Sequence, residues 1–154
     1  MTLRDQPQPE EARILVVDDS ALMRRTLREL LEANAGWKVC DEASNGHEAV
    51  AKFDEERFDV IVLDFQMPGM SGLDAAKQIT QRSPRTRILM VTLHYSPQLV
   101  KEARKVGIKG VCPKADSECV VEGVATILDN RFYFRNRAAG CNESYLNHAD
   151  SAED

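Results

Sequence analysis

At 154 residues the chain can build one proper hydrophobic core and is too short for two. It is 43% hydrophobic and 29% charged, as ordinary globular proteins are, and its net charge of -5 with scattered Lys and Arg gives no electrostatic footprint for nucleic acid. No apolar run approaches the ~20 residues that span a bilayer. The polar, acidic stretch from Met1 to Glu11 is not a signal peptide, so a cytoplasmic protein is expected.

Residues 1–11 read as a disordered leader. Arg13-Ile14-Leu15-Val16-Val17 is a buried-type strand ending in Asp18-Asp19. Ser20 is a good N-cap for a helix whose Met23, Leu27, Leu30 and Leu31 keep helical spacing, and Gly36 stops it. Trp37 to Ala43 is a second strand, interrupted by charges. Asn45-Gly46 opens the next helix, with Glu48 placed as in a capping box. Val60-Ile61-Val62-Leu63 is a third strand, buried on both faces, and it ends abruptly in Asp64. Pro68-Gly69 and Ser71-Gly72 then signal a loop.

Gly72 to Arg82 is helical by the spacing of Leu73, Ala76 and Ile79, and Ser83-Pro84 breaks it. Arg87 to Thr92 is the fourth strand. Ser96-Pro97 caps a helix lined by Leu99, Val100, Ala103 and Val106, which Gly107 ends. Gly110-Val111-Cys112 is a short fifth strand closed by Pro113-Lys114, and Ser117 to about Asn130 is the last helix. Cys40, Cys112, Cys119 and Cys141 lack metal-ligand spacing; the first two read as reduced core thiols. Five alternating strands and helices argue for an α/β domain over residues 12–131, a doubly wound parallel sheet. Residues 132–154 read as a largely disordered tail, although Phe132-Tyr133-Phe134 could pack back on the domain.

In a parallel sheet all the carboxyl ends of the strands point one way, and ligands bind there near a topological switch point. Asp18 and Asp19 end strand one, Asp64 ends strand three, Thr92 ends strand four and Lys114 follows strand five. Each alone has an ordinary explanation, such as a loop cap or a solvated lysine. Their convergence on one rim does not. Three neighbouring carboxylates repel unless a cation holds them, and hard oxygen ligands suit Mg²⁺. A Lys and a Thr hydroxyl opposite would clamp a tetrahedral anion. The set reads as phosphoryl transfer to a carboxylate, with Asp64 the nucleophile.

With Ile-Leu-Val-Val-Asp-Asp (14–19), Asn-Gly-x-Glu-Ala (45–49), Met-Pro-Gly-Met-Ser-Gly (67–72), Asp64, Thr92 and Lys114 in place, the chain resembles the receiver domain of bacterial two-component response regulators from about Arg13 to Asn130. The resemblance implies a flavodoxin-like, five-stranded sheet of order 2-1-3-4-5, phosphorylation of Asp64 by a sensor histidine kinase or phosphotransfer protein, and Mg²⁺. It implies that Asp19 ligates the metal, Asp18 assists, and the Gln66 main-chain carbonyl is a further ligand beside Asp64. Lys114 would pair with the phosphoryl group. Thr92 would move to bond it, shifting the face made by helix four, strand five and helix five, through which a homodimer or a downstream effector protein could bind. Such a receiver is a phosphoacceptor rather than an enzyme, apart from slow self-dephosphorylation.

Three departures from the family pattern stand out. Val111 occupies a position that is usually aromatic, with Tyr95 a candidate stand-in. Gln66 and His94 fill the two positions that tune phosphoryl lifetime. The end of the chain resembles the branch that normally continues into a helix-turn-helix effector, yet none follows, which favours a stand-alone receiver over the receiver half of a DNA-binding regulator. A phosphorylation-independent scaffold and a phosphate sink are the competing roles. An aspartyl-phosphatase would want an acid where Gln66 stands, and a nucleotide or flavin domain would want a glycine-rich loop where Asp18-Asp19 stands.

Overall fold

Residues 11–134 and the backbone of 144–146 are described by a computed structural model of the chain. The chain alternates β1 (Ala12–Val17), α1 (Ala21–Glu32), β2 (Trp37–Ala43), α2 (Gly46–Glu55), β3 (Val60–Asp64), α3 (Gly72–Arg82), β4 (Ile88–Thr92), α4 (Pro97–Lys105), β5 (Gly110–Pro113) and α5 (Ser117–Leu128). Two further strands follow, β6 (Arg131–Phe134) and β7 (Ser144–Leu146), in one sheet of order β2-β1-β3-β4-β5-β6-β7. The expected 2-1-3-4-5 order is present. Strands β1 to β6 run parallel, and β7 lies antiparallel to β6.

Every residue of β3 and β4 is buried, which is why both read as unbroken apolar runs. One face of the sheet packs on α2, α3 and α4 through residues such as Val50, Ile79 and Ala103; the other packs on α1 and α5 through Leu27, Leu31, Val120 and Val124. Charges in β2 are tolerated because β2 is an edge strand on which only Val39 and Ala43 are buried. Each helix opens on a side-chain cap; sequence suggests those at Ser20, Asn45 and Ser96, and Ser71 and Asp116 add two more. Ser20, Asn45, Ser71, Ser96 and Asp116 each accept a bond from the main-chain N–H three residues on. Glu48 departs from the expected capping box, since its carboxylate takes the N–H and hydroxyl of Ser44 rather than the N–H of Asn45.

The five-stranded expectation is corrected at the C-terminal side. Asn130 adopts a left-handed φ of 60°, a conformation Asn tolerates better than most residues, so α5 stops at Leu128 and the chain turns into β6. The aromatics placed in the tail by sequence alternate across the sheet: Tyr133 is buried on the α1/α5 side and Phe134 on the α2–α4 side. Tyr133 donates its N–H to the Lys109 carbonyl at 2.9 Å and its hydroxyl to Glu122 Oε1 at 2.9 Å. The outer edge of β5 is thereby paired, so the helix four, strand five, helix five face expected for a homodimer presents β6 instead of a bare β5 edge. The leader at 1–10, Cys141 and the tail beyond Phe134, apart from the β7 backbone, lie outside the described residues. Cys112 and Cys119 are buried and, like half-buried Cys40, stand in no disulfide. Among the described residues no helix is long and apolar enough to cross a membrane.

Close approach of β6 explains Gly110. A Cβ there would lie 2.5 Å from the Tyr133 carbonyl oxygen and 3.0 Å from Ile127 Cδ1. Gly110→Ala is therefore expected to cost about 2 kcal/mol, as overpacking in a tight core does. A urea melt checks it; an unchanged midpoint would mean that β6 is not packed as described.

Candidate functional site

The carboxyl ends of β1, β3 and β5 meet at one pole of the sheet. Asp18 and Asp64 are buried there, and Asp19 is exposed beside them. One oxygen from each of the three lies within 4.8 Å of the other two. Local structure holds them in place. Asp18 Oδ1 accepts the Ser20 N–H at 2.9 Å, while Arg24 clamps the Asp18 carbonyl at 2.6 Å and pairs with Glu42 at 3.0 Å. Beyond Asp64 the chain doubles back through a bond from the Gly72 N–H to the Phe65 carbonyl, 2.8 Å. A Cβ on Gly72 would collide with the Asp64 carbonyl oxygen, so only glycine fits this corner.

Lys114 reaches across from the end of β5. Its ammonium lies 2.8 Å from Asp18 Oδ2 and 3.2 Å from Asp64 Oδ2. Both contacts are charge-assisted, and the one to Asp18 is the shorter. Burial, then the charge of Asp18, pushes the Asp64 carboxyl above its ordinary value against the opposing pull of Lys114 and a bond from the Gln66 main chain. Burial works against the Lys114 ammonium as well, but Asp18 and Asp64 outweigh it, and its pKa rises.

These shifts have a sign. The folded state binds a proton at Asp64 more readily than the unfolded chain does, so ionising Asp64 lowers stability as pH rises from about 4. The stabilising share from Lys114 is present below about pH 10 and is lost as pH rises through its elevated folded value. In metal-free protein an Asp64→Asn variant is expected to lose the fall that Asp64 ionisation brings, so its stability relative to the parent rises with pH. Denaturant melts between pH 4 and 7 measure it, and an unchanged slope would remove Asp64 as its origin.

Of the residues singled out by sequence, Asp18, Asp19, Asp64 and Lys114 are brought together. Thr92 is buried at the end of β4, and its carbonyl accepts the Lys114 N–H at 2.7 Å. Its hydroxyl oxygen accepts the His94 N–H at 3.0 Å, and among the described residues no hydrogen bond joins it to the carboxylates. Gln66 and His94 side chains are exposed, Tyr95 is half-buried against the α2–α4 side of the core, and Val111 is buried in β5. Arg24 is a part of the site that sequence alone does not single out, and Gly72 stands in the 67–72 motif without its packing role being visible there. A glycine at the first position of α3 and an arginine one turn into α1, facing β2, were the available signals.

The donor set fits a small hard cation: carboxylate oxygens of Asp18, Asp19 and Asp64 converge within 4.8 Å of one another, and hard oxygen ligands suit such an ion. Comparison with known proteins agrees with this geometry. Residues 14–125 match the family model of the response regulator receiver domain. Chemotaxis protein CheY of Thermotoga maritima is 40% identical over 97 residues, which are 63% of this chain and 80% of that protein. A LuxR-family two-component response regulator from Aurantimonas sp. superposes with a TM-score of 0.78 at 32% identity, covering 80% of this chain and 89% of that one. CheY in the CheX–CheY–BeF3–Mg complex of Borrelia burgdorferi gives a TM-score of 0.71 at 29% identity over 75% of this chain and 87% of that chain.

Proposed function

Because the chain belongs to the response regulator receiver domain family, we propose that Asp64 accepts a phosphoryl group from a partner histidine kinase or phosphotransfer protein and thereby alters contacts with a downstream protein. The family makes it a phosphoacceptor of two-component signalling rather than a catalytic enzyme. The observation that carries the reading is the bridged pair, Asp18 and Asp64 on separate strand ends with Lys114 between them.

A carboxylate oxygen of Asp64 forms the new P–O bond while the donor's P–N bond breaks, and that electron pair leaves with the donor imidazole. Asp18, Asp19, Asp64 and the Gln66 carbonyl would hold Mg²⁺, which supplies charge neutralisation for the incoming phosphoryl oxygens. The Borrelia complex, which contains both BeF3 and magnesium, supports that assignment. Lys114 releases Asp64 to pair with the phosphoryl group. Thr92 reorients its hydroxyl toward the same group and gives up the His94 N–H, which loosens the loop into α4. The exposed Gln66 and His94 side chains stand where they can slow or admit water, and so set the phosphoryl lifetime.

Movement of α4 has a ready listener. Arg104 on α4 lies 4.2 Å above the ring of Phe134, and Phe134 is in register with Val111. An aromatic residue thus sits beside Val111 although β5 itself carries none, and half-buried Tyr95 packs into the same cluster. The LuxR-family neighbour supports placing the chain in that branch of receivers.

The test is intact-mass analysis after incubation with Mg²⁺ and a small phosphodonor, alongside NMR with beryllofluoride. One added phosphoryl group and shifts running from Asp64, Thr92 and Lys114 into α4 and β6 are expected. Shifts confined to the pocket would favour a phosphate sink, and no modification would leave a scaffold. Added Mg²⁺ is also expected to raise the melting temperature at pH 7, by relieving the repulsion among the three carboxylates.

A further inference from the structure

A second polar site lies at the opposite end of the same strands. The loops entering β3, β4 and β6 and the start of β5 enclose a cavity of about 690 Å³. Arg57, Arg85, Arg87, Lys109 and Arg131 line it, against two acids, Glu56 and Asp59. Arg13, outside that set, engages both acids: Glu56 pairs with its guanidinium at 2.9 Å, and Asp59 Oδ2 accepts its main-chain N–H at 2.7 Å. Of the five cations only Arg131 has a carboxylate partner among the described residues, Asp129 at 3.5 Å. In a chain of net charge -5 this is a local excess of positive charge.

Helix C-termini offer an ordinary explanation, since α2, α3 and α5 end at this pole and their carbonyls attract cations. The side-chain bonds say otherwise. Among the described residues none of Arg57, Arg85, Arg87 and Lys109 bonds a helix carbonyl. Arg87 instead holds Asn130 Oδ1 at 2.9 Å, and the Lys109 ammonium stands 5.4 Å from the centre of the Phe132 ring. Arg87 and Lys109 line the same cavity, and burial with the Arg87 charge depresses the Lys109 pKa, a cost that a bound anion would reduce. Phe53 and Phe58 add apolar wall.

We infer that this cavity binds a phosphate-bearing small molecule, whose phosphate bridges Arg87 and Lys109 with Arg85 and Arg131 at the rim, and whose organic part rests on Phe53 and Phe58. Guanidinium forks match phosphate geometry, and the volume is that of a small-ligand site. The inference stands apart from phosphorylation of Asp64, because the two sites lie at opposite ends of the sheet.

The test uses the full chain carrying Asp64→Asn, in EDTA, so that phosphoryl chemistry at the other pole does not contribute. AMP and inorganic phosphate are titrated separately and followed by amide NMR. Saturable shifts at Arg87, Lys109 and Asn130 are expected, weakening with added salt. Lys109→Gln and Arg87→Gln should each weaken binding about tenfold, the loss of one charge-assisted bond. Tighter binding of AMP than of phosphate would place its organic part on the phenylalanines, whereas equal binding would assign the site to the phosphate group alone. Both side chains are half-buried, and unchanged signals from β1 and β3 would verify that the variants fold. Overturning results are linear, unsaturated shifts, or affinities that neither substitution changes.

Discussion

Asp64→Asn is expected to abolish phosphoryl acceptance altogether while making the metal-free protein more stable. The amide nitrogen and oxygen cannot form the acyl-phosphate bond that a carboxylate oxygen forms, so intact-mass analysis should show no added phosphoryl group. Stability moves the other way because the fold disfavours this charge. Asp64 is 3% exposed, and burial and Asp18 both push its carboxyl toward the neutral form. Removing the charge leaves Lys114 paired with Asp18, 2.8 Å away, so the variant loses a repulsion without orphaning the ammonium. A gain of about 1 kcal/mol, or roughly 3 °C, follows at neutral pH. The same substitution should reduce the stabilisation that added Mg²⁺ gives. A variant that melts lower than the parent would show that Asp64 holds the fold together, contrary to the reading of a carboxylate kept under strain for chemistry.

Phe134→Ala is expected to be the most destabilising of the substitutions considered, at about 3–5 kcal/mol. Phe134 is fully buried beneath the Arg104 guanidinium, stacks at 6.1 Å on Phe132 and lies beside Val111 across the β5–β6 ladder. Truncation leaves a cavity at the sheet margin and strips Arg104 of its aromatic platform. Calorimetry should register a drop of about 10 °C or more. Phe134→Leu, which keeps most of the volume, should recover much of it. A loss below 1 kcal/mol would mean that the packed sheet ends at β5 and the domain at residue 131, as the sequence alone suggests.

The added strand β6 shows where local sequence stops being informative. Phe132-Tyr133-Phe134 follows a helix directly, is only three aromatics long and is flanked by arginines, so it carries no strand signature that distinguishes it from a tail. It becomes a strand because the β5 edge lies within reach of the turn at Asn130, and because two cores on opposite faces of the sheet accept Tyr133 and Phe134. Both reasons are tertiary.

Within the candidate site the division is similar. The convergence of Asp18, Asp19, Asp64 and Lys114 was legible, because parallel strands must present their carboxyl ends on one side and each residue sits at such an end. The hydrogen-bonded arrangement was not. That Lys114 bridges two carboxylates, that Thr92 spends its hydroxyl oxygen on the His94 amide, and that Arg24 braces β1 against β2 depend on side-chain torsions and on distances across the sheet. The basic cavity at the other pole was equally hidden. Its cations come from four separated stretches, and the chain's overall charge has the opposite sign.

The sequence by itself determined the alternation of strands and helices, the helix caps at Ser20, Asn45 and Ser96, the buried central strands and the pole where acidic groups gather, because each follows from side-chain periodicity and backbone propensity within a short window. Only the tertiary structure decided how far the sheet extends, which cation holds the carboxylates and where positive charge is left without a partner. Those outcomes are set by contacts between residues far apart in the chain, whose energies no local window contains.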